Sequence, residues 1–443
     1  MSNKLLKTFF DKKLLTFTKA KGIYLYTSKK EKYTDLTGGS SGHAILGWSN
    51  KKIINDVHLQ LKKFGHLDYK NFNDPNREKL AELLLSNSKI KLNKVFFVGS
   101  SGAEACEAAM KMSFQYFYDK GFKKKKIYIS RKQSYHGCTT HSLSLGDRPN
   151  LYFYKPILSK NVYKISEHNE FRHKKNNENS EAYAARCANE LEQKIIKLGP
   201  ENVCAFIGET IMGGLVGDVP PSNYYWKKIS NVCKKYNVHL ILDEVWCGTG
   251  TTGKPFCIDW DNVNPDFVFL SKTLAAGYGA LSAVVTNSKI TDVLKHGQGQ
   301  VQYSSTHQGH SVSVAAALSV QKIINNKIFL FNVVNKGELF RKYINSELKD
   351  NDFFLNVRGR GMRNTLEYNS DNNQLFGAHL KNKMLQKYKT IIDAKWHRVC
   401  FPMAINISRK ELEDNLAKFI SVFKNLSNKW PVIKKNNIKS YYF

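Results

Sequence analysis

The stretch Val238-His239-Leu240-Ile241-Leu242-Asp243-Glu244 decides how this chain folds. It is a nearly continuous apolar run that stops at two acids. Such runs, unlike alternating ones, fit a sheet covered by helices on both faces. A second run, Phe267-Val268-Phe269-Leu270, stops at Ser271-Lys272. In a doubly wound sheet, ligands sit beyond the carboxyl ends of the strands. Asp243 and Lys272 would then project into one crevice.

A lysine shielded from water there loses its proton and attacks a carbonyl as a neutral amine. An aspartate there can hold a proton on a heteroaromatic nitrogen. Pyridoxal phosphate chemistry needs both, a Schiff-base lysine and an acid that keeps the pyridine nitrogen charged. The same pair also reads as an N-cap aspartate and an ordinary exposed lysine.

Outward from these strands the pattern is β-α-β. Val95 to Val98 reads as a strand, Gly99-Ser100-Ser101-Gly102 as a turn, and Ala103 to Tyr118 as an alanine-rich helix with Glu104 in its first turn. Small residues at a helix N-terminus let a backbone approach phosphate. After the strand at 126–130 comes Ser134-Tyr135-His136-Gly137, whose aromatic ring could stack on a flat cofactor. Further strands are expected at 204–207 and 281–285, and helices at 51–64, 76–86, 183–198, 222–236 and 311–325. Residues 22–36 read as a hairpin, 165–182 as a polar surface excursion, 353–368 as a strand pair and 408–426 as a closing helix. The stretch between 325 and 353 reads as mixed. The last residues, from Lys434, read as a basic aromatic extension.

The expected fold class is therefore α/β. A large domain would carry a mainly parallel seven-stranded-type sheet covered by helices. A smaller α+β domain would be built from both chain ends. The boundaries fall at 1–50 and 321–443 for the smaller part and 51–320 for the larger.

Composition narrows the classes further. The chain has 443 residues, 42% of them hydrophobic, so it can bury a full core. Lysines and arginines number 68 against 37 aspartates and glutamates, a formal net charge of +31. That balance suits a polyanion partner, yet the lysines are spread along the chain and the basic runs are short. Nucleic-acid binding therefore stays a remote alternative. The eight cysteines stand at no disulfide or metal spacing and fit a reducing cytoplasm. No apolar stretch is long enough to span a membrane, and Asp11, Lys12 and Lys13 interrupt any signal-peptide core.

With these pieces in order, the chain resembles the class III aminotransferases, pyridoxal phosphate enzymes of fold type I, from about Gly22 to Phe423. Gly22-Ile-Tyr-Leu-Tyr26 through Tyr33-Thr-Asp-Leu-Thr-Gly-Gly39 matches the opening hairpin. Ser100 to Lys111 matches the phosphate-binding turn and helix, and Ser134-Tyr-His-Gly137 the ring-stacking element. Leu242-Asp-Glu-Val245 with Gly248, Gly250, Thr252 and Gly253 matches the aspartate motif. Asn264-Pro-Asp-Phe267 through Ser271-Lys-Thr-Leu-Ala-Ala-Gly277 matches the lysine motif. Ser305-Thr-His-Gln-Gly-His310 and Val357-Arg-Gly-Arg-Gly-Met362 complete the series.

The resemblance implies roles. Lys272 would form the Schiff base and move the proton, and Asp243 would pair with the pyridine nitrogen. Val245 and Tyr135 would pack on the two ring faces, with His136 and Glu209 beside them. Ser101, Gly102 and Ala103 would bind phosphate. Thr306 would reach the phosphate of a partner subunit, making a homodimer with shared sites. Trp246 would narrow the substrate pocket and Arg398 would take a substrate carboxylate. Each of these last two also reads as an ordinary residue, a core aromatic and a surface arginine.

The chain also departs from the family pattern. Ala103 stands where a serine or threonine is usual. Members acting on ornithine or 4-aminobutyrate carry a glutamate where this chain has Gly214. The expected reaction moves an amino group from an ω-amino acid or primary amine to a 2-oxo acid such as pyruvate. An aminomutase of the glutamate-1-semialdehyde kind, a decarboxylase or an epimerase would use the same residues.

Overall fold

The structure is a computed structural model that describes residues 4–6, 8, 14–148, 151–369, 375–395 and 397–430. The basic extension read from Lys434 onward lies outside them.

The centre is a seven-stranded sheet. Its order is Lys94–Phe97, Ala283–Thr286, Phe267–Leu270, His239–Asp243, Val203–Glu209, Ile127–Arg131 and Val162–Ile165. From Phe267–Leu270 to the far edge the pairings are parallel, and Ala283–Thr286 runs antiparallel to both its neighbours. The continuous apolar runs have a direct cause. Successive side chains of a strand point to opposite faces, and here both faces are covered. Phe206, Leu240 and Leu242 enter one core with helices Ser180–Leu198 and Tyr225–Lys235. Ala205, Ile207 and Ile241 enter another with helices Gly102–Asp119 and Ser288–His296.

Register sets the chemistry. Glu209 stands opposite Asp243, and Asp243 opposite Phe269. The three strand ends deliver Glu209, Asp243 and, three residues beyond Phe269, Lys272 to one edge of the sheet.

Two smaller sheets lie apart from the central one. The first joins Lys19–Lys21, Tyr24–Tyr26 and Lys32–Asp35 to Thr390–Ile391, so residues from both ends of the chain share it. The second is Phe354–Arg360, Arg363–Tyr368, Arg398–Cys400 and Asp393–Lys395, all antiparallel. One core runs from Ile23 and Leu36 to Phe419 and Phe423. The expected α/β class with a second sheet unit is the observed one.

Two of the departures from the sequence reading have a clear physical cause. Val162–Ile165 is the edge strand of the central sheet, although only its last residue is fully buried. An edge strand keeps one side open to water, so its Val-Tyr-Lys-Ile pattern is weak. The stretch read as mixed contains the 22-residue helix Lys327–Leu348. Its Gly337 obscures the helical pattern. A Cβ there would lie 1.8 Å from the Gly361 carbonyl oxygen, so the close approach of two backbones requires glycine.

Candidate active site

A cavity of about 480 Å³ opens at the carboxyl ends of the central strands. Of the residues expected from sequence, Ser101, Gly102, Ala103, Tyr135, His136, Glu209, Asp243, Val245, Trp246 and Lys272 all line it. Thr306 and Arg398 do not.

Lys272 begins a single 3-10 turn, Lys272–Leu274, directly after the Phe267–Leu270 strand and Ser271. Its φ of 31° lies in the left-handed region, which costs a β-carbon-bearing residue on the order of 1–3 kcal/mol. Bonds around it hold the turn. The Leu274 N–H donates to the Ser271 carbonyl at 2.7 Å, and the Ser271 hydroxyl to the Leu281 carbonyl at 3.2 Å. Burial brings the Lys272 amine down to about 8, opposed by the charges of Asp243 and Glu209 and assisted by Arg363 and Arg148. A solvated lysine keeps its proton to about 10.4. The amine therefore gives up its proton far more readily than a solvated lysine, with about a tenth in the neutral, nucleophilic form at pH 7.

Asp243 is fixed from two sides. Its Oδ1 accepts the Val245 N–H at 2.9 Å and its Oδ2 accepts from His136 Nδ1 at 2.8 Å. His136 is enclosed, and its Nε2 has no partner among the described residues. Glu209 is also enclosed. Its Oε1 accepts the Tyr135 N–H at 3.1 Å and its Oε2 the Gly213 N–H at 2.9 Å. Burial raises the Glu209 carboxyl. One glutamate thereby ties the Tyr135 loop to the Gly213-Gly214 loop across the cavity wall.

The helix Gly102–Asp119 aims its N-terminus at the same space. Ser101 is its N-cap, and Ser101 with Glu104 forms a capping box. The Ser101 hydroxyl accepts the Glu104 N–H at 3.3 Å, and Glu104 Oε2 takes the Ser100 and Ser101 N–H groups at 2.7 and 2.9 Å. The first N–H groups of a helix have no partner within it. Gly102 and Ala103 are left with theirs unbonded among the described residues, and both residues line the cavity. A Cβ on Gly102 would meet Val245 at 2.8 Å, so the backbone lies flush with that wall.

These features fit pyridoxal phosphate on their own chemistry. Two unused helical N–H groups suit a phosphate, a clamped carboxylate suits a ring N–H, and a buried amine suits a carbonyl. Val245 and Tyr135 both line the space between.

Trp246 forms another wall. Its indole N–H donates to Asp218 Oδ1 at 2.7 Å. A Cβ on Gly213 would come within 2.4 Å of the ring, so Gly213 is glycine because Trp246 packs there. Arg398 is buried on its strand and donates to the carbonyl of Gly214, which itself lines the cavity, at 3.3 Å. Thr306 is exposed, and its carbonyl oxygen lies 2.9 Å from His66 Nε2.

Sequence reasoning missed His43, Tyr278 and Leu281, which also line the cavity. His43 follows the Gly38–Gly42 turn and Tyr278 the lysine motif, so only proximity to those strings could have flagged them. It also missed Arg363, whose guanidinium centre lies 4.4 Å from the Trp246 ring.

A family model described as aminotransferase class-III matches residues 9–421. The chain belongs to the class III aminotransferases, and is thus a transferase. An aminotransferase from Gibberella zeae is 34% identical over 361 residues, covering 81% of this chain and 70% of that one. Gamma aminobutyrate transaminase 2 of Solanum lycopersicum is 31% identical over 438 residues, covering 95% and 93%. The omega transaminase from Pseudomonas jessenii, solved in complex with PMP, shares the fold at a TM-score of 0.87. It is 28% identical over 94% of this chain and 93% of its own. Among the described residues no helix is long and apolar enough to cross a membrane, and no group of His, Cys, Asp or Glu could hold a metal.

Proposed function

We propose that this enzyme uses pyridoxal 5'-phosphate to move an amino group from an ω-amino acid or primary amine to a 2-oxo acid such as pyruvate. The observation that carries the reading is the Lys272 amine, held at about 8 by burial in a cavity that also contains Asp243 and the free N–H groups of Gly102 and Ala103. Bound there, the cofactor supplies a carbonyl for the amine and a ring that takes up electrons.

The chain's own residues divide the remaining work. Gly102 and Ala103 N–H groups bind phosphate, with Ser101 fixing the helix end. Asp243 holds the proton on the ring nitrogen, and His136 holds Asp243. Val245 and Tyr135 fix the ring plane and exclude water from its faces. Lys272 Nζ would hold the cofactor and would take and return the proton at the substrate carbon. Thr306, exposed in the single chain, contributes to the phosphate site of a second subunit in a homodimer.

The names of two relatives point to ω-amino donors, one an omega transaminase and one a gamma aminobutyrate transaminase. Gly214 in place of a glutamate argues against 4-aminobutyrate itself within that class.

Purified protein given pyridoxal phosphate should show the visible absorbance of a lysine-bound cofactor and lose it on adding a donor amine. Absence of that band, or full activity in Lys272→Ala, overturns the reading. Turnover that needs no 2-oxo acid would make the enzyme a mutase instead.

A further inference from the structure

If Tyr135 covers one face of the cofactor, its own ring has to be held at a fixed tilt. The Tyr135 N–H is anchored on Glu209 Oε1 at 3.1 Å. The hydroxyl makes no hydrogen bond among the described residues, so the ring plane rests on what packs against its faces. One face is covered by Arg148, whose guanidinium carbon lies 3.7 Å from the ring centre. At that separation an upright guanidinium would push a nitrogen into the ring, so it lies flat. Arg363 over Trp246 and Arg77 over Tyr69 are looser, at 4.4 and 4.9 Å. Tyr135 lines the cavity and Arg148 does not. The arginine therefore backs the ring and leaves the opposite face for the cavity.

The chain brings the two side chains together by closing a loop. The Asp147 N–H donates to the Ser134 carbonyl at 2.9 Å, and the Gln133 N–H to Asp147 Oδ2 at 3.0 Å. The Ser134 hydroxyl spans the same loop to the Leu145 carbonyl at 3.2 Å. These bonds return Arg148 to the side of Tyr135. They also commit Asp147, its neighbour in sequence, to the Gln133 backbone.

The Arg148 Nε is sealed without a partner. Its charge is felt at the active site. With Arg363 it favours loss of the Lys272 proton, against Asp243 and Glu209, which favour keeping it. A guanidinium thus supplies a flat support and a fixed charge in one group. Lysine would supply the charge without the plane, and methionine a support without the charge.

Resting on the transaminase reading above, we propose that Arg148 is a positioning residue that acts through Tyr135, holding its ring flat against the bound cofactor and setting a fixed positive charge behind it.

The test uses the full protein, first stripped of cofactor and then loaded. The initial rate at which Lys272 captures added pyridoxal phosphate, followed across pH, should have its midpoint near 8 in unmodified protein. Arg148→Met should move that midpoint up by about half to one pH unit, and Arg148→Lys should leave it in place. In loaded enzyme, circular dichroism in the cofactor band reports how the achiral cofactor is seated. Arg148→Lys should diminish that signal and weaken cofactor binding about 3- to 10-fold, the range of a stacked cation on a ring. In a Tyr135→Ala background the same replacement should add no further loss. Equal loss in both backgrounds overturns the proposal, because the arginine would then act without the ring. So does a midpoint that Arg148→Met leaves unmoved. A second pair needs no change at Arg148: Tyr135→Phe should keep the dichroism and Tyr135→Leu should lose it. Equal loss in these two also overturns the proposal, since the hydroxyl and not the stacked face would then hold the ring. Unmodified protein that develops no visible band sinks the transaminase reading itself, and is seen before any variant is made.

Discussion

Replacing Lys272 with methionine should stabilise the cofactor-free protein while removing its chemistry. Burial holds the amine at about 8, against 10.5 when solvated. Below pH 8 the folded protein carries a proton that its environment disfavours, and at about 1.4 kcal/mol per unit this costs about 3 kcal/mol. Methionine fills a similar volume without charge. It forgoes the amine's contact with the Trp246 ring at 5.1 Å, worth about 0.5–1 kcal/mol. A net gain of about 2–3 kcal/mol remains, which for a chain of this length is about 2–3 °C in Tm.

The pH dependence gives the sharper check. The folded pKa lies below the unfolded one, so the penalty is whole below pH 8. It shrinks as pH rises from 8 to 10.5 and is gone above, where neither state holds the proton. Thermal unfolding of both stripped proteins at neutral pH and at about pH 10 reads this directly. Lys272→Met melting below the parent at neutral pH would refute the reasoning. An advantage that does not shrink at high pH would refute it too.

Three further outcomes are expected. Asp243→Asn keeps the shape but loses the charge that accepts from His136 Nδ1 and would hold the ring proton. Its kcat should drop on the order of 10²–10³-fold with circular dichroism unchanged. Gly213→Ala pushes a methyl to within 2.4 Å of the Trp246 ring. It should destabilise by about 1–3 kcal/mol and shift tryptophan emission as the indole leaves Asp218. Ser101→Ala removes the capping hydroxyl of helix Gly102–Asp119, which should lower stability by about 1 kcal/mol and weaken phosphate affinity through a frayed helix end, both read by urea unfolding with and without inorganic phosphate.

Much of the site was legible because its determinants are local. Asp243 and Lys272 each end an apolar run, and a covered parallel strand writes itself into sequence as such a run. The turn at Gly99–Gly102 and Glu104 announce a capped helix over four residues, and the capping box is there. The strand Val162–Ile165 was not legible, because an edge strand buries too little to impose a pattern. Helix Lys327–Leu348 was obscured by Gly337, a residue dictated by a backbone more than twenty positions away. The +31 charge, prominent in composition, places no residue in the cavity by itself.

The sequence by itself determined the buried strands of the central sheet and the identity of the residues at their ends, since these follow from hydrophobic period within a few residues. Tertiary structure alone decided which of them meet. His136 reaches Asp243 across 107 positions, and Arg363 reaches the Gly42 carbonyl across 321. Such pairs depend on sheet register and on the packing of the second sheet against the first, quantities that no local stretch encodes. The place of Lys272 just beyond a strand end was therefore readable along the chain, whereas the enclosure of Arg363 behind the Trp246 ring exists only in the folded protein.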